Sequence, residues 1–401
     1  MRCARESRGW PRSTTPAAEG GDWVSVNIFD LFELAGQKPN AISLGLGDPD
    51  LPTPPHIVAA AAEAIRAGRT GPTATTGLPE LRAAIARKLA RDNGIVADPD
   101  TEVLVTTGGQ EALFLLIQAL IEPGDEIIVP DPRYTSYDEA IALAGGRMIL
   151  VPTRVEDDFA LDPDEVARRI TPRTKVLLLI SPNNPTAGVT PPEWVRGLAA
   201  LAVERDLIVI ADEIYEKFIY DDALHVSVAS LPGMAERTIT LNGVSKTYAM
   251  TGWRIGYLAA PASFIRAATA LKEMVNVQAP TVSQWAAAAA LDGPQECVEE
   301  MRRIYDGRRR MMMAELDRMG IGYGRPRGGL YIWANVTSTG LTATQLSYHL
   351  LDEEDVLVLP GAGFGAGWDD WIRLTILQPE SALREVATRM AKVIERHRRA
   401  G

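Results

Sequence analysis

Lys246 stands just past a hydrophobic run, Thr238-Ile-Thr-Leu241, within Asn242-Gly-Val-Ser245-Lys246-Thr-Tyr-Ala-Met-Thr251-Gly252-Trp253-Arg254-Ile-Gly256. Most lysines occupy solvated faces. The others here (Lys38, Lys88, Lys175, Lys217, Lys272 and Lys392) lie in helical or charged stretches where a surface role suffices. An amine lodged in a cleft beside Arg254 has a depressed pKa, the condition for attack on a carbonyl and Schiff-base formation. Asp212 closes a second apolar run, Leu207-Ile-Val-Ile-Ala211, ahead of Glu213-Ile214-Tyr215. An acid directly after a buried strand is poorly solvated and needs a cationic or hydrogen-bonded partner, although a helix N-cap also accounts for it in isolation. Thr107-Gly108-Gly109-Gln110 follows Val103-Leu-Val-Thr106 and opens an amphipathic helix. Glycines there let backbone N–H groups approach a phosphate at the positive helix end; a plain strand-to-helix turn is the competing explanation. Ser181-Pro182-Asn183-Asn184-Pro185-Thr186 sets two asparagines between prolines. That elbow either aims an amide at a ligand oxygen or is a simple Asx-turn.

These clusters need a scaffold that gathers strand ends. Short β-branched runs recur at Val103–Thr106, Glu126–Val129, Met148–Val151, Val176–Ile180, Leu207–Ala211, Thr238–Leu241 and Ile255–Ala259. Helical patterns separate most of them, at Gln110–Leu120, Pro192–Glu204 and Pro261–Val275, and precede them at Ile57–Arg66 and Pro79–Asp92. Near-continuous apolar strands between helices predict an α/β, doubly wound domain with a mostly parallel sheet covered on both faces. Its ligands belong at the carboxyl ends of the strands. This large domain is expected over residues 56–295. After it come a charged helix (Glu296–Met319), a strand (Gly329–Trp333) and a helix near Thr342–Leu351. Strands Val356–Leu359 and Trp371–Thr375 and a last helix, Ser381 to about Arg398, complete the chain. That order predicts a smaller α+β domain over 296–401, joined by the segment 23–55. Residues 1–22 carry Arg2, Arg5, Arg8 and Arg12 among Ser, Thr and Pro. They read as a disordered arm or a transit-type leader, not as a secretory signal.

Bulk properties narrow the classes. A chain of 401 residues is too long for one simple core. A net charge of −11 implies no broad basic face for nucleic acid. Cys3 and Cys297 cannot form a disulfide framework, which fits a reducing, cytoplasmic setting. His56, His225, His349 and His397 show no HxxxH or HxH spacing, so no metal centre is expected. No apolar run reaches the roughly 20 residues of a membrane span. The stretch Trp285–Leu291 reads as a short buried or interfacial helix.

The segments LGLGDPDLPTP, GLPELRAAIA, TTGGQEAL, SPNNPT, ADEIY, SKTYAMTGWRIGY, PRGGLY and WIRLT follow one another along the chain. Their order and spacing resemble class I/II aminotransferases of fold type I, most closely the bacterial aspartate/aromatic subgroup. The resemblance runs from about residue 25 to the C-terminus. It implies a seven-stranded, mostly parallel sheet between helices beside the smaller domain. It also implies a homodimer that moves an amino group between an L-amino acid and a 2-oxo acid with pyridoxal 5'-phosphate. Lys246 would then form the Schiff base and shuttle the proton between Cα and C4′. Asp212 would keep the pyridine nitrogen protonated, Tyr215 and Asn184 would hydrogen-bond the ring oxygen, and Tyr134 would stack on the ring. Arg254 would clamp the phosphate with backbone groups of Gly108, Gly109 and Gln110. Arg373 would grip the substrate α-carboxylate through a bidentate fork, with Gly47 offering its N–H to the same group.

Some positions depart from that pattern. Pro72 replaces a common tyrosine that reaches the neighbouring subunit's phosphate. Gly243 stands where many relatives place a phosphate-binding serine, and Ser245 is the available substitute. The usual PNNPTG carries Ala187 before Gly188. Gln110 occupies a position where some relatives have a substrate-touching lysine, which weakens the case for a dicarboxylic substrate and leaves the donor open. Elimination (a β-lyase), racemisation or oxidation on the same cofactor share the early carbanion, so the residues barely separate them from transamination. Gly361-Ala-Gly363-Phe-Gly365-Ala366 fits a dinucleotide fingerprint. Trp368-Asp-Asp-Trp371 and a strand follow it instead of a helix, which makes a nicotinamide-dependent dehydrogenase the remote alternative.

Overall fold

The computed structural model describes residues 28–398; the expected arm over 1–22 and the start of the joining segment lie outside the described residues. Helix α1 (Ile28–Gly36), the short strand β1 (Ile42–Ser43) and helices α2 (Pro55–Arg66) and α3 (Pro79–Lys88) come first. Proline opens α2 and α3, where its fixed φ is already helical and its missing N–H leaves no bond unmade.

Seven strands then form one sheet: β2 (Val103–Thr106), β3 (Glu126–Asp131), β4 (Arg147–Pro152), β5 (Thr174–Ile180), β6 (Ile208–Asp212), β7 (Thr238–Gly243) and β8 (Gly256–Ala259). Helices α4 (Gly108–Leu120), α5 (Ser136–Leu143), α6 (Pro163–Ala167) and α7 (Pro192–Glu204) alternate with them; α8 (Ala262–Val275) and α9 (Thr281–Asp292) follow. The strand order is β2-β8-β7-β6-β5-β3-β4. Ile127, Leu178 and Ile210 pack on one face with α4 residues such as Leu113 and Leu116. Ile128, Leu177 and Val209 pack on the other with Val195 and Leu198 of α7. Burial on both faces is why these strands read as unbroken apolar runs.

Every pairing in this sheet is parallel except those of β8, which runs against both β2 and β7. Gly256, the first residue of β8, therefore pairs with Thr106 and Gly243, the last residues of its neighbours. That one reversal brings the segment before β8, with Arg254, to the edge where the other strands end.

The remaining elements are α10 (Glu296–Met319), β9 (Gly322–Tyr323), β10 (Tyr331–Asn335), α11 (Ala343–Glu354), β11 (Val356–Leu357), β12 (Leu359–Pro360), β13 (Trp371–Thr375) and α12 (Glu380–Arg398). An antiparallel sheet of order β12-β13-β10-β9 packs Ile332, Ile372 and Leu374 against Leu316 of α10, Leu346 of α11 and Met390 of α12. In α12, Leu383, Val386, Met390 and Val393 recur at helical spacing and are all buried.

The structure departs from the sequence reading at two places. Val356–Leu359, read as one strand, changes partner in the middle. β11 pairs in parallel with β1, and β12 pairs antiparallel with β13. Both halves are buried, so the apolar run carries no mark of the switch. The pairing matters because it leads the chain after β1 across β13, where the Thr375 N–H donates to the Leu44 carbonyl at 3.0 Å. In addition, Lys88 and Lys272, read as surface residues, are buried. Lys272 donates to both carboxylate oxygens of Glu111 at 3.1 Å and to Asn276 at 2.8 Å. Lys88 donates to Glu216 and, at 2.6 Å, to Asn93. A helical sequence does not reveal that the facing element supplies a carboxylate, without which burial would cost several kcal/mol. Among the described residues no helix is long and apolar enough to cross a membrane.

Candidate active site

A cavity of about 670 Å³ opens at the strand ends, between the large sheet and β13. Of the residues singled out from the sequence, Gly47, Gly109, Gln110, Tyr134, Asn184, Asp212, Tyr215, Ser245, Lys246, Arg254 and Arg373 all line it. Gly108 is the exception: it is buried beneath Arg254, at φ +77°, and any Cβ there would overlap the guanidinium. Gly256 lets β8 come equally near, since its own Cβ would lie 2.6 Å from the Gly108 carbonyl carbon.

These two glycines bring Arg254, itself left-handed at φ 56°, onto the first turn of α4. Its Nη1 donates to the Thr251 carbonyl at 3.0 Å. The N-cap residue of α4, Thr107, makes no side-chain cap bond to the helix. Free N–H groups at a helix N-terminus beside a guanidinium make an anion site. Tyr134 forms the adjacent wall, its hydroxyl donating to Gln110 Oε1 at 3.1 Å.

Lys246 Nζ donates to the Gly47 carbonyl at 2.7 Å and lies 3.4 Å from Asp48 Oδ1. Burial holds this amine below the ordinary lysine range; Asp48 opposes that shift, and the positive charges of Arg373 and Arg254 add to it. Arg254 is thus a lesser cause than the sequence suggested.

Asp212 ends β6, where alternation turns its side chain to the α4 face with Ile210. Its Oδ2 accepts from the Tyr137 hydroxyl at 3.0 Å and its Oδ1 from the Ile214 N–H at 3.3 Å. Burial pushes its pKa up to about 6 despite those two donors. No lysine, arginine or histidine pairs with it among the described residues. Glu213 turns the other way and joins Asn93 and Ser227.

Arg373 closes the far end. Its guanidinium lies over the rings of Tyr331 and Phe364, at 4.5 and 4.7 Å from their centroids. Nη1 donates to Asn184 Oδ1 at 2.8 Å and Nη2 to the Gly45 carbonyl. Nε is buried without a partner among the described residues. A guanidinium held against two aromatic rings, with a donor unspent, is preorganised for a carboxylate.

Tyr331, Tyr137 and Phe364 were missed in the sequence. Tyr331 stands in the predicted strand Gly329–Trp333 and in the segment PRGGLY, but its partner Arg373 comes from β13. Tyr137 lies in the first turn of α5, where nothing local marks it. Phe364 belongs to the glycine-rich stretch that imitates a dinucleotide fingerprint; here that stretch, with Ala362 and Gly363, is cavity wall.

Comparisons with known proteins cover the same ground. Residues 39–390 match the family model Aminotransferase class I and II. The chain is 44% identical over 370 residues to an aspartate aminotransferase of Pyrococcus abyssi, covering 92% of this chain and 95% of the relative. It is 40% identical over 371 residues to aromatic-amino-acid aminotransferase 2 of Thermococcus litoralis, at 92% and 95% coverage. A solved structure of aspartate aminotransferase from Thermus thermophilus with maleate superposes with a TM-score of 0.86 at 39% identity, covering 91% of this chain and 95% of that one. Matching across both sheets and the cavity between them, the chain belongs to the class I and II aminotransferases, pyridoxal phosphate-dependent enzymes that transfer an amino group.

Proposed function

We propose that this aminotransferase moves the amino group of an L-amino acid to a 2-oxo acid in two alternating half-reactions, with pyridoxal phosphate held on Lys246. One observation carries the reading: a half-buried amine, a buried carboxylate and an arginine fork open into a single cavity. The cavity suits the cofactor at both ends. Asp212 is a desolvated acid without a cationic partner among the described residues, as a pyridinium N–H requires. The uncapped start of α4 under Arg254, with Gly109, Gln110 and Ser245, suits a phosphate dianion.

When bound, pyridoxal phosphate supplies an aldehyde that captures amines and a ring that accepts the electron pair left at the substrate Cα. Lys246 Nζ, with its lowered pKa, takes and returns the Cα proton. Arg373 holds the α-carboxylate and so fixes which Cα bond faces Lys246. Tyr215 and Asn184 would hydrogen-bond the ring oxygen, and Tyr134 would cover the ring. Gly47 sits where its backbone serves Lys246 and the carboxylate together.

The donor class follows from the opposite wall. Ile28 and Phe32 of α1, with Leu46 and Phe364, present apolar surface to the cavity. Its only lysine and arginine residues among the described ones are Lys246, Arg254 and Arg373, and each already has a task. An aliphatic or aromatic side chain therefore fits better than a second carboxylate. Division of labour between residues 56–295, gripping the cofactor, and 296–401 with the N-terminal segment, gripping the carboxylate, belongs to the same proposal. So do a homodimer, which rests on the family resemblance, and a cytoplasmic setting, which rests on the sparse cysteines.

A panel of amino donors with several 2-oxo acids, read as product amino acid and product 2-oxo acid, tests the reading. Stoichiometric exchange, best with aliphatic or aromatic donors, supports it. Release of ammonia, racemised substrate or hydrogen peroxide instead of a new amino acid would sink it.

A further inference from the structure

The histidines, scattered in sequence, do not stay scattered in space. His349 and Glu353 lie one turn apart on α11, and His397 comes from the last turn of α12. His349 Nδ1 lies 3.0 Å from Glu353 Oε1, and His397 Nε2 lies 2.8 Å from the same oxygen. The two imidazole rings are 4.0 Å apart between centroids. The ligand-capable atoms of all three residues fall within 4.8 Å of one another. We propose that His349, Glu353 and His397 form a binding site for a divalent transition ion of the zinc class, clamping the end of α12 to α11.

Two neutral imidazoles and one carboxylate, with water as the fourth ligand, are an ordinary donor set for zinc. Ligands about 2.1 Å from a tetrahedral ion lie roughly 3.4 Å apart. From the present 3.0 and 2.8 Å, the two nitrogens must open from the carboxylate oxygen by about 0.5 Å, within reach of side chains that are 20–35% exposed. Each neutral ring needs only to move its proton to its outer nitrogen to present a lone pair. Arg396 engages Glu353 through Oε2, which leaves Oε1 for the ion and orients the carboxylate as an outer partner does in metal sites.

The other such combination among the described residues, Glu213, Glu216 and His225, is the weaker candidate. Its carboxylates already accept from Lys88, Asn93 and Ser227 in the interior. An ion entering there would have to evict the buried ammonium of Lys88.

The test is titration of tag-free, cofactor-loaded enzyme with cobalt(II), followed by its visible ligand-field bands and by calorimetry. Wild type should bind one ion per chain. His349→Ala and His397→Ala should each weaken binding by more than about tenfold, while His225→Ala leaves it unchanged. Circular dichroism and turnover of the metal-free variants, both expected to match wild type, separate a lost ligand from a lost fold. No binding by wild type at millimolar cobalt overturns the proposal, as does binding that survives loss of either His349 or His397 or disappears only with His225→Ala.

Discussion

The hydroxyl of Tyr331 lies 2.6 Å from that of Tyr215, and the Tyr331 ring lies against the Arg373 guanidinium at 4.5 Å. One side chain from β10 thus joins Tyr215, at the proposed cofactor end of the cavity, to Arg373, at the proposed carboxylate end. Its two contacts can be separated. Tyr331→Phe removes the hydroxyl, worth about 1 kcal/mol, and should lower kcat about fivefold with little change in donor KM. Tyr331→Ala also removes the ring and should raise donor KM more than about tenfold. Equal KM values for the two variants would contradict this division.

Lys246→Ala should abolish transamination and the visible absorbance of bound cofactor together. The two losses belong to one amine, because no other lysine lines the cavity among the described residues. Full turnover in this variant would remove the basis of the proposed function.

Asp212 predicts an unusual pH dependence in the apoprotein. Its pKa rises from 3.8 to about 6 on folding because burial disfavours the charge. Between those values the folded chain binds more protons than the unfolded one, so its stability falls as pH rises. The contribution is complete below pH 3.8 and is lost through about pH 6; its size is about 3 kcal/mol. Relative to wild type, apo Asp212→Asn should gain stability between pH 4 and pH 8 and lose turnover in the holoenzyme. Urea unfolding at several pH values measures the difference, and parallel curves would refute it.

Arg373→Lys keeps the charge but loses the planar fork held against Tyr331 and Phe364. A point charge cannot satisfy both carboxylate oxygens and Asn184 at once. The expected loss in kcat/KM is roughly a hundredfold, mostly in donor KM. Steady-state kinetics with unchanged KM would place the carboxylate elsewhere.

Gly108→Ala tests the anion site. The residue is left-handed and its Cβ would overlap Arg254, so strain on the order of 1–3 kcal/mol is expected. Cofactor affinity, measured by fluorescence quenching, should fall more than about tenfold. Unchanged affinity would mean that Arg254 and the start of α4 do not hold the phosphate.

Much of the site was legible because its chemistry is written at strand ends. Asp212, Asn184, Gly109 and Lys246 each follow an apolar run, and parallel strands place such ends on one edge whatever the details of packing. The proline starts of α2 and α3, the runs of β2 to β8 and the helical spacing in α12 are likewise local signals, set by a few residues' sterics and burial pattern.

What the amino-acid order determined by itself was therefore the strands of the large sheet, the longer helices, and the polar groups that end them. Tertiary structure alone decided which of them meet. Arg373 faces Lys246 because β11 takes β1 as its partner and draws the chain past β13. Tyr137 reaches Asp212 because α5 packs under the sheet, Lys88 and Lys272 are tolerated inside because carboxylates arrive from other elements, and His397 finds His349 because α12 lies along α11. Local propensity acts over a few residues, whereas these meetings depend on strand order and on the summed burial of distant side chains, which no short stretch of sequence contains.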